Sequence, residues 1–120
     1  MKRTFKKSPV VASESLDAIQ RFKAIDWDNV SYEEQFDLEM DYLSDIENDV
    51  LEGMGLWMEP SVQGTKGGIW IMTMEDDETV VDGYDYGDYV NAVIDIALDC
   101  DNVEQFKHRF EDFINDLMED

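Results

Sequence analysis

The sequence SYEEQFDLEMDYLSDIENDVLEGMG, residues 31–55, decides the architecture, because a long amphipathic helix both begins and ends within it. Ser31 and Glu34 form a capping-box pair at its start, and Gly53 or Gly55 supplies the positive φ that ends such a helix. At 100° per residue, one sector collects the apolar residues that we expect to pack inward: Tyr32, Phe36, Met40, Leu43, Ile46, Val50, Leu51 and Met54.

After this helix the sequence changes to the composition of β-strands. Residues 56–58 and 69–74 flank the glycine-rich segment 64–68, which predicts a hairpin. The acidic turn 75–78 then leads to a third predicted strand at 79–81. We therefore expect a small three-stranded antiparallel sheet directly after the long helix.

Three further helices are predicted around this centre. Ser13 caps the first, with Asp17 in its first turn, and a loop at 82–87 leads into the third. Asp101 together with Glu104 caps the fourth. The order α-α-β-β-β-α-α, with helices flanking one sheet, predicts an α+β fold. We assign residues 13–120 to a single acidic α+β domain and residues 1–12 to a basic N-terminal arm.

The charge balance excludes several functional classes. The chain has 30 acidic and 9 basic residues, which gives a net charge of −21, and four of the bases lie in the first seven residues. Binding a nucleic acid or an anionic membrane requires Lys and Arg, so we expect neither as a direct partner. No apolar run approaches the roughly 18 residues of a membrane span. The single Cys100 permits no internal disulfide, which suits a cytoplasmic location.

Residues able to carry catalysis are scarce. One histidine and one cysteine exclude a multi-ligand zinc site. His108 falls on the polar side of the fourth helix, and Cys100 lies between two aspartates that would raise its thiol pKa. The chain contains no EF-hand and no P-loop pattern. We therefore predict no enzymatic activity, no cofactor and no metal site.

The placement of the acids is the informative pattern. Between Lys23 and Lys66 there are twelve carboxylates and no base. Within the long helix, acids recur every four residues at Glu33, Asp37, Asp41, Asp45 and Asp49, here called the acidic row. Each like-charge pair destabilises a helix by about 0.2–0.5 kcal/mol, so the row costs about 1–2 kcal/mol. Stability alone does not produce such a row, which resembles the phosphates of a nucleic-acid strand; the alternative is a solvated face that keeps the protein soluble.

Two acids of the same helix call for a separate explanation. Glu39 and Glu47 fall at the margins of its apolar sector, and acids in such places are rarely buried without a partner. The nearest bases in sequence are Arg21 and Lys23. We therefore expect structural ion pairs between the first two helices.

Several aromatic residues are candidates for contacts with a partner. Leu38 and Tyr42 fall on the acidic side of the long helix, and exposed aromatics among acids can anchor an interface. Tyr84 and Tyr86, in the segment that leaves the sheet, are further candidates, together with Trp57 and Tyr89. Packing beneath the N-terminal arm is the alternative for this group.

A small, very acidic chain with few catalytic residues and an ordered row of anions resembles the DNA-mimic inhibitors that phages and mobile elements use against restriction or CRISPR nucleases. The resemblance implies a stoichiometric inhibitor whose carboxylates occupy a basic channel made for DNA or a guide-target duplex. Its partner would be a basic nucleic-acid-binding protein such as a CRISPR effector or a restriction enzyme, met by a monomer or a homodimer. On this interpretation the main contacts with the partner come from Asp37, Asp41, Asp45 and Asp49, and the secondary contacts from Glu75, Asp76, Asp77 and Glu78.

Two other functional classes remain open from the sequence. An immunity-type protein would cap a basic toxin or nuclease through a compact epitope, without imitating the geometry of DNA. An enzyme or regulator that uses clustered carboxylates would bind calcium or magnesium with a defined stoichiometry.

Overall fold

The computed structural model describes residues 16–61 and 68–119. Its elements are α1 (Ala18–Lys23), a 3-10 turn (Trp27–Asn29), α2 (Tyr32–Gly53), β1 (Leu56–Ser61), β2 (Gly68–Thr73), β3 (Thr79–Asp85), α3 (Tyr86–Leu98) and α4 (Val103–Glu119). The predicted α+β class and the order α-α-β-β-β-α-α are confirmed. The predicted arm at 1–12, the cap at Ser13 and most of the glycine-rich turn lie outside the described residues.

The three strands form one antiparallel sheet in the order β1-β2-β3. Leu56 at the start of β1 is paired with Thr73 at the end of β2. The predicted loop at 82–87 is wrong, because β3 continues to Asp85, which is paired with Gly68 of β2. Glycine makes this extension possible: a Cβ atom at Gly68 would lie 3.3 Å from the carbonyl oxygen of Tyr84. Gly83 takes a φ of 66°, which side-chain-bearing residues rarely adopt.

The ends of α2 follow the sequence prediction. Ser31 Oγ accepts a hydrogen bond from the Glu34 amide at 3.1 Å, and Glu34 Oε1 accepts one from the Ser31 amide at 2.8 Å. At the other end Gly55 has a φ of 75° and reverses the chain into β1. The capping box is therefore confirmed as the start of the helix.

The caps of α1 and α4 differ from the prediction, and one residue serves both. Asp17 is the N-cap of α1 rather than part of its first turn, and its Oδ1 accepts from the Gln20 amide at 2.9 Å. Its Oδ2 accepts from the Val103 amide, also at 2.9 Å, and so caps α4 as well. Asn102, not Asp101, directly precedes α4, and its side chain accepts from the Gln105 amide at 2.9 Å. The predicted Asp101 cap is one residue too early.

One hydrophobic core joins the helices to one face of the sheet. Cys100 is fully buried in it, as expected of a small apolar residue, and burial raises the pKa of its thiol. The buried apolar residues are Ile19, Phe22, Leu43, Leu51, Leu56, Ile69, Ile71, Val81, Tyr89, Val90, Val93, Ile94, Ala97, Cys100, Phe106, Phe110 and Ile114. Among residues 16–61 and 68–119, no helix is long and apolar enough to cross a membrane.

The inward face of α2 matches the predicted sector in part. Leu43 and Leu51 are buried as predicted, and Phe36, Ile46, Val50 and Met54 are half-buried against the core. Tyr32 and Met40 are instead 60% and 56% exposed, whereas Glu39 and Glu47 are buried. The reason lies in α3, where Tyr89 is buried and its hydroxyl needs an acceptor. The Tyr89 hydroxyl donates to Glu47 Oε1, so a glutamate that the hydrophobic pattern placed at the margin of the apolar sector is buried.

Candidate functional site

The described part of the chain is dominated by exposed negative charge. Of the 28 acidic residues in 16–61 and 68–119, 25 are exposed, and the same ranges contain only four bases. These bases belong to α1 and α4: Arg21, Lys23, Lys107 and Arg109. Neither α2 nor any of the three strands as described carries a basic side chain.

In the described ranges, the Lys and Arg side chains that pair with an acid lie where α1, α3 and α4 meet. Lys23 Nζ lies 3.8 Å from Asp101, and Arg109 Nη1 donates to Asp99 at 3.1 Å. Arg21 donates to the carbonyl oxygen of Leu16. The predicted ion pairs of Arg21 or Lys23 with Glu39 and Glu47 are therefore wrong. The two bases point to the helix ends, whereas the two glutamates are buried on the side of α2 that faces away from solvent.

The acidic row lies entirely on the surface. Glu33, Asp37, Asp41, Asp45 and Asp49 are all exposed, and none of them takes part in the ion pairs found in the described ranges. In an α-helix, each four-residue step rises about 6 Å and turns about 40°. The row therefore extends about 24 Å along α2 while winding about 160° around it. Its carboxylates form a helical strip of charge rather than a straight line.

The ends of the long helices add to the same charge. A base in the last turn stabilises a helix through its macrodipole by about 0.3–1 kcal/mol, and an acid there does the opposite. None of α2, α3 and α4 has a base in its last turn. In α2 that turn instead contains the exposed Glu52. The excess of acids therefore opposes helix stability at several independent positions.

The acidic turn at residues 75–78 lies beside the carboxyl end of α2. All four of its acids are exposed, and the Met74 amide donates to the carbonyl oxygen of Gly55 at 2.8 Å. Part of this turn also has a structural role: Thr73 Oγ1 donates to Asp76 and accepts from the Glu78 amide at 3.0 Å. Asp77 adopts a φ of 55°, a left-handed conformation that aspartate tolerates better than most residues.

The three candidate tyrosines take different places. Tyr42 is half-buried and packs edge-on against Phe22, with ring centroids 5.6 Å apart, so it contributes to the core rather than to an exposed acidic face. Leu38 is likewise half-buried against the core. Tyr84 packs against Phe113 of α4.

Tyr86 lies next to a cavity that also contains two buried acids. It is half-buried and packs beside Phe36 of α2, with ring centroids 5.6 Å apart. The cavity has a volume of about 210 Å³ and lies between α2, α3 and β1. It is lined by Glu39, Met40, Ser44, Glu47, Asn48, Met58, Tyr86 and Tyr89, and is called here the Glu39–Glu47 pocket.

The sequence analysis singled out the two glutamates of this pocket but missed that they are buried beside each other, with no base of the described ranges lining the pocket. Glu39 is 4% exposed and Glu47 is 1% exposed. Burial raises the pKa of Glu47 well above its ordinary range, the adjacent Glu39 carboxyl raises it further, and the hydrogen bond from Tyr89 opposes this. Burial, followed by the charges of Glu39, Glu47 and Asp37, also raises the pKa of Tyr86. The charge of Asp37, a member of the acidic row, therefore acts on a residue that lines the pocket.

Other surface features offer less chemistry. A shallow depression of about 450 Å³ is lined by Asp95, Ile96, Leu98, Asp99 and Arg109. His108 is exposed, as predicted, and lies 3.6 Å from Glu104 one turn away. In the described ranges, no three His, Cys, Asp or Glu side chains are arranged to hold a metal ion. The acidic row and the Glu39–Glu47 pocket are therefore the candidate functional surface.

No known relative contributes to this picture. The chain matches no protein-family model, no curated protein and no solved structure. We therefore infer the function from the geometry of α2 and its neighbours.

Proposed function

We propose that this protein is a stoichiometric inhibitor that imitates a nucleic-acid strand and blocks the DNA- or guide-binding channel of a defence nuclease, of the CRISPR or restriction type. The observation that carries the proposal is the acidic row, which is fully exposed and winds around α2 at regular intervals. Every step of the row opposes helix formation, so helix stability does not explain its presence. The protein performs no catalysis in this role.

The spacing of the row supports the comparison with a nucleic acid. One strand of duplex DNA carries a phosphate about every 3.4 Å along the axis, and the row carries a carboxylate about every 6 Å. The row alone therefore has a little over half the linear charge density of one strand. Exposed acids beside it, such as Glu34 and Glu52, and the turn at residues 75–78 increase this density.

The electrostatics of the whole surface favour a basic target. A field of one sign steers a charged partner and raises the association rate, and the effect falls steeply with ionic strength. Aromatic contacts from Tyr86, and from the exposed Tyr32 at the start of α2, would give the interface its specificity.

The test compares two variants with the same change in net charge. In the row variant, Asp37, Asp41, Asp45 and Asp49 are changed to Asn. In the control variant, four exposed acids of α3 and α4 are neutralised: Asp95→Asn, Glu111→Gln, Asp112→Asn and Asp116→Asn. Each protein is expressed in bacteria that carry one defined restriction or CRISPR system, and phage plating efficiency is measured.

The proposal requires that wild type and control protect the phage while the row variant loses at least tenfold in plating efficiency. A purified target should bind the wild type at a defined stoichiometry and be released by competing duplex DNA. Equal protection by the row variant and the control would contradict the proposal.

The second candidate is an immunity-type protein that caps a basic toxin or nuclease. The observation that favours it is the concave Glu39–Glu47 pocket, which has no counterpart in a strip of phosphates. This function predicts a target that duplex DNA cannot displace, and binding that tolerates the row variant but not Tyr86→Leu.

A further inference from the structure

The Glu39–Glu47 pocket contains an acceptor without a donor. The Tyr89 hydroxyl donates to Glu47 Oε1, whereas Glu47 Oε2 is buried and receives no hydrogen bond from any described N–H or O–H group. The neighbouring Glu39 carboxyl can satisfy it only by sharing a proton. Leaving a buried acceptor without a donor costs free energy, and more so when it is charged. The pocket therefore favours a ligand that brings a donor and a positive charge.

The walls of the pocket define the shape of that ligand. Its volume of about 210 Å³ is below the range of roughly 300–1,000 Å³ typical of small-molecule sites, and suits a single side chain. Met40, Met58 and the ring of Tyr86 provide apolar surface beside the two carboxylates, and no described base lines the pocket. A guanidinium group matches both features, because it is planar, weakly hydrated, stacks on aromatic rings and donates to a carboxylate in a fixed fork.

A metal ion fits the same place less well. Calcium takes six to eight oxygen ligands, whereas the acids of this pocket are two glutamates, one of them already hydrogen-bonded to Tyr89.

The location of the pocket links it to the acidic row. The charge of Asp37, in the row, acts on Tyr86, which lines the pocket. On α2, the pocket residues Met40, Ser44 and Asn48 each lie three residues after an acid of the row, and residues at this spacing are neighbours on a helix surface. A basic surface that meets the row therefore lies next to the pocket.

We propose that the Glu39–Glu47 pocket accepts one arginine side chain of the target protein, whose guanidinium donates to Glu47 Oε2. Because this oxygen has almost no solvent-accessible surface, the pocket must open locally as the side chain enters. The identity of the protein that supplies the arginine rests on the proposed function, but the chemistry of the pocket can be tested without that protein.

The proton on Glu47 competes with the arginine. The titratable groups facing Glu47 are Glu39 of α2 and Tyr86 and Tyr89 of α3, while β1 contributes the uncharged Met58. Because the pKa of Glu47 is raised, the guanidinium must displace a proton from it. We therefore expect affinity to rise with pH, by up to tenfold for each unit below that pKa, and binding to release a proton.

The test uses N-acetyl-L-arginine methylamide as the probe and the full-length protein. Binding is followed by NMR of the Met40 and Met58 methyl groups, which line the pocket. We expect saturable shifts with a millimolar dissociation constant and at least tenfold weaker binding by Glu47→Gln. The lysine analogue should bind several-fold more weakly, and the leucine analogue should not bind. The control Glu111→Gln makes the same chemical change at an exposed position of α4 that does not line the pocket, and should stay within twofold of wild type.

The outcomes separate this inference from its alternatives. Equal binding of the leucine and arginine analogues, or wild-type affinity in both Glu47→Gln and Tyr86→Leu, would overturn it. Saturation of the methyl shifts by calcium chloride below the concentration needed for the arginine analogue would assign the pocket to a metal. If changing the four bases of segment 1–12 to Gln tightened probe binding more than tenfold, the occupant would be the chain's own arm.

The inference and the proposed function can fail separately. Probe binding together with unchanged phage protection by the row variant would retain the arginine pocket and reject nucleic-acid mimicry. Loss of protection in the row variant with no probe binding would do the reverse.

Discussion

At the scale of single residues, the buried Glu47 makes stability depend on pH. Its pKa is raised well above the ordinary value of 4.5, so the folded protein keeps a proton that the unfolded chain releases. The stabilising contribution is fully present below pH 4.5 and is lost as the pH rises toward the folded-state pKa. Each unit of pKa difference corresponds to about 1.4 kcal/mol.

Glu47→Gln keeps the side chain uncharged at every pH and should remove this dependence. We expect its melting temperature to equal that of wild type near pH 4 and to exceed it by at least about 4 °C at pH 7.5. Thermal unfolding followed by circular dichroism across this range measures the difference. Glu111→Gln makes the same change in charge on the surface, and its melting temperature should differ little from that of wild type. A gap for Glu47→Gln that does not widen with pH would show that Glu47 is ionised in the folded protein.

At the scale of secondary-structure elements, Asp17 ties the start of α1 to the start of α4. One carboxylate accepts from Gln20 and from Val103, which are separated by most of the chain. An N-cap bond contributes about 1 kcal/mol, so Asp17→Ala should lower stability by about 2 kcal/mol. Asp17→Asn, which keeps one accepting oxygen, should lose about half as much.

Two neighbouring variants test which residue caps α4. Asn102→Ala should cost about 1 kcal/mol, because its side chain accepts from the Gln105 amide. Asp101→Ala should stay within about 0.5 kcal/mol, since it loses only an exposed ion pair with Lys23. Urea unfolding gives all four values, and a larger effect at Asp101 than at Asn102 would contradict the assigned cap.

The elements also show how far sequence reasoning reaches. Ser31 with Glu34 at its start and Gly55 after its end predicted the bounds of α2 well, because helix caps depend on residues that are close in sequence. The rotation of α2 could not be predicted, since it depends on Tyr89, 42 residues from Glu47 along the chain, needing a buried acceptor. The hydrophobic pattern therefore placed Tyr32 and Met40 inward and Glu39 and Glu47 at the margin. The acidic row could be recognised in the sequence because its spacing is local. The pocket could not, because it forms only where two helices and a strand meet.

At the scale of the whole molecule, a net charge of −21 should make folding dependent on salt. Repulsion between like charges opposes the compact state, and 0.1 M salt screens it beyond about 10 Å. We expect the free energy of unfolding in urea, which is uncharged, to rise steadily from 0.02 M to about 0.5 M sodium chloride.

The variant that neutralises four residues of the acidic row tests this prediction most directly. Neutralising Asp37, Asp41, Asp45 and Asp49 removes the like-charge pairs of the row, worth about 1–2 kcal/mol in total. The variant should therefore be more stable than wild type at low salt, and the two should converge as salt screens the row. The α3 and α4 control removes the same net charge, but only one of its four-residue acid pairs, Asp112 with Asp116, lies wholly within a helix. The pairs Asp95 with Asp99 and Asp116 with Asp120 extend past the bounds of α3 and α4, so the gain of the control should be smaller. Equal gains in stability in both variants would mean that the total charge, rather than the spacing of the row, opposes folding. The row would then carry no stability cost of its own, and its functional interpretation would lose that support.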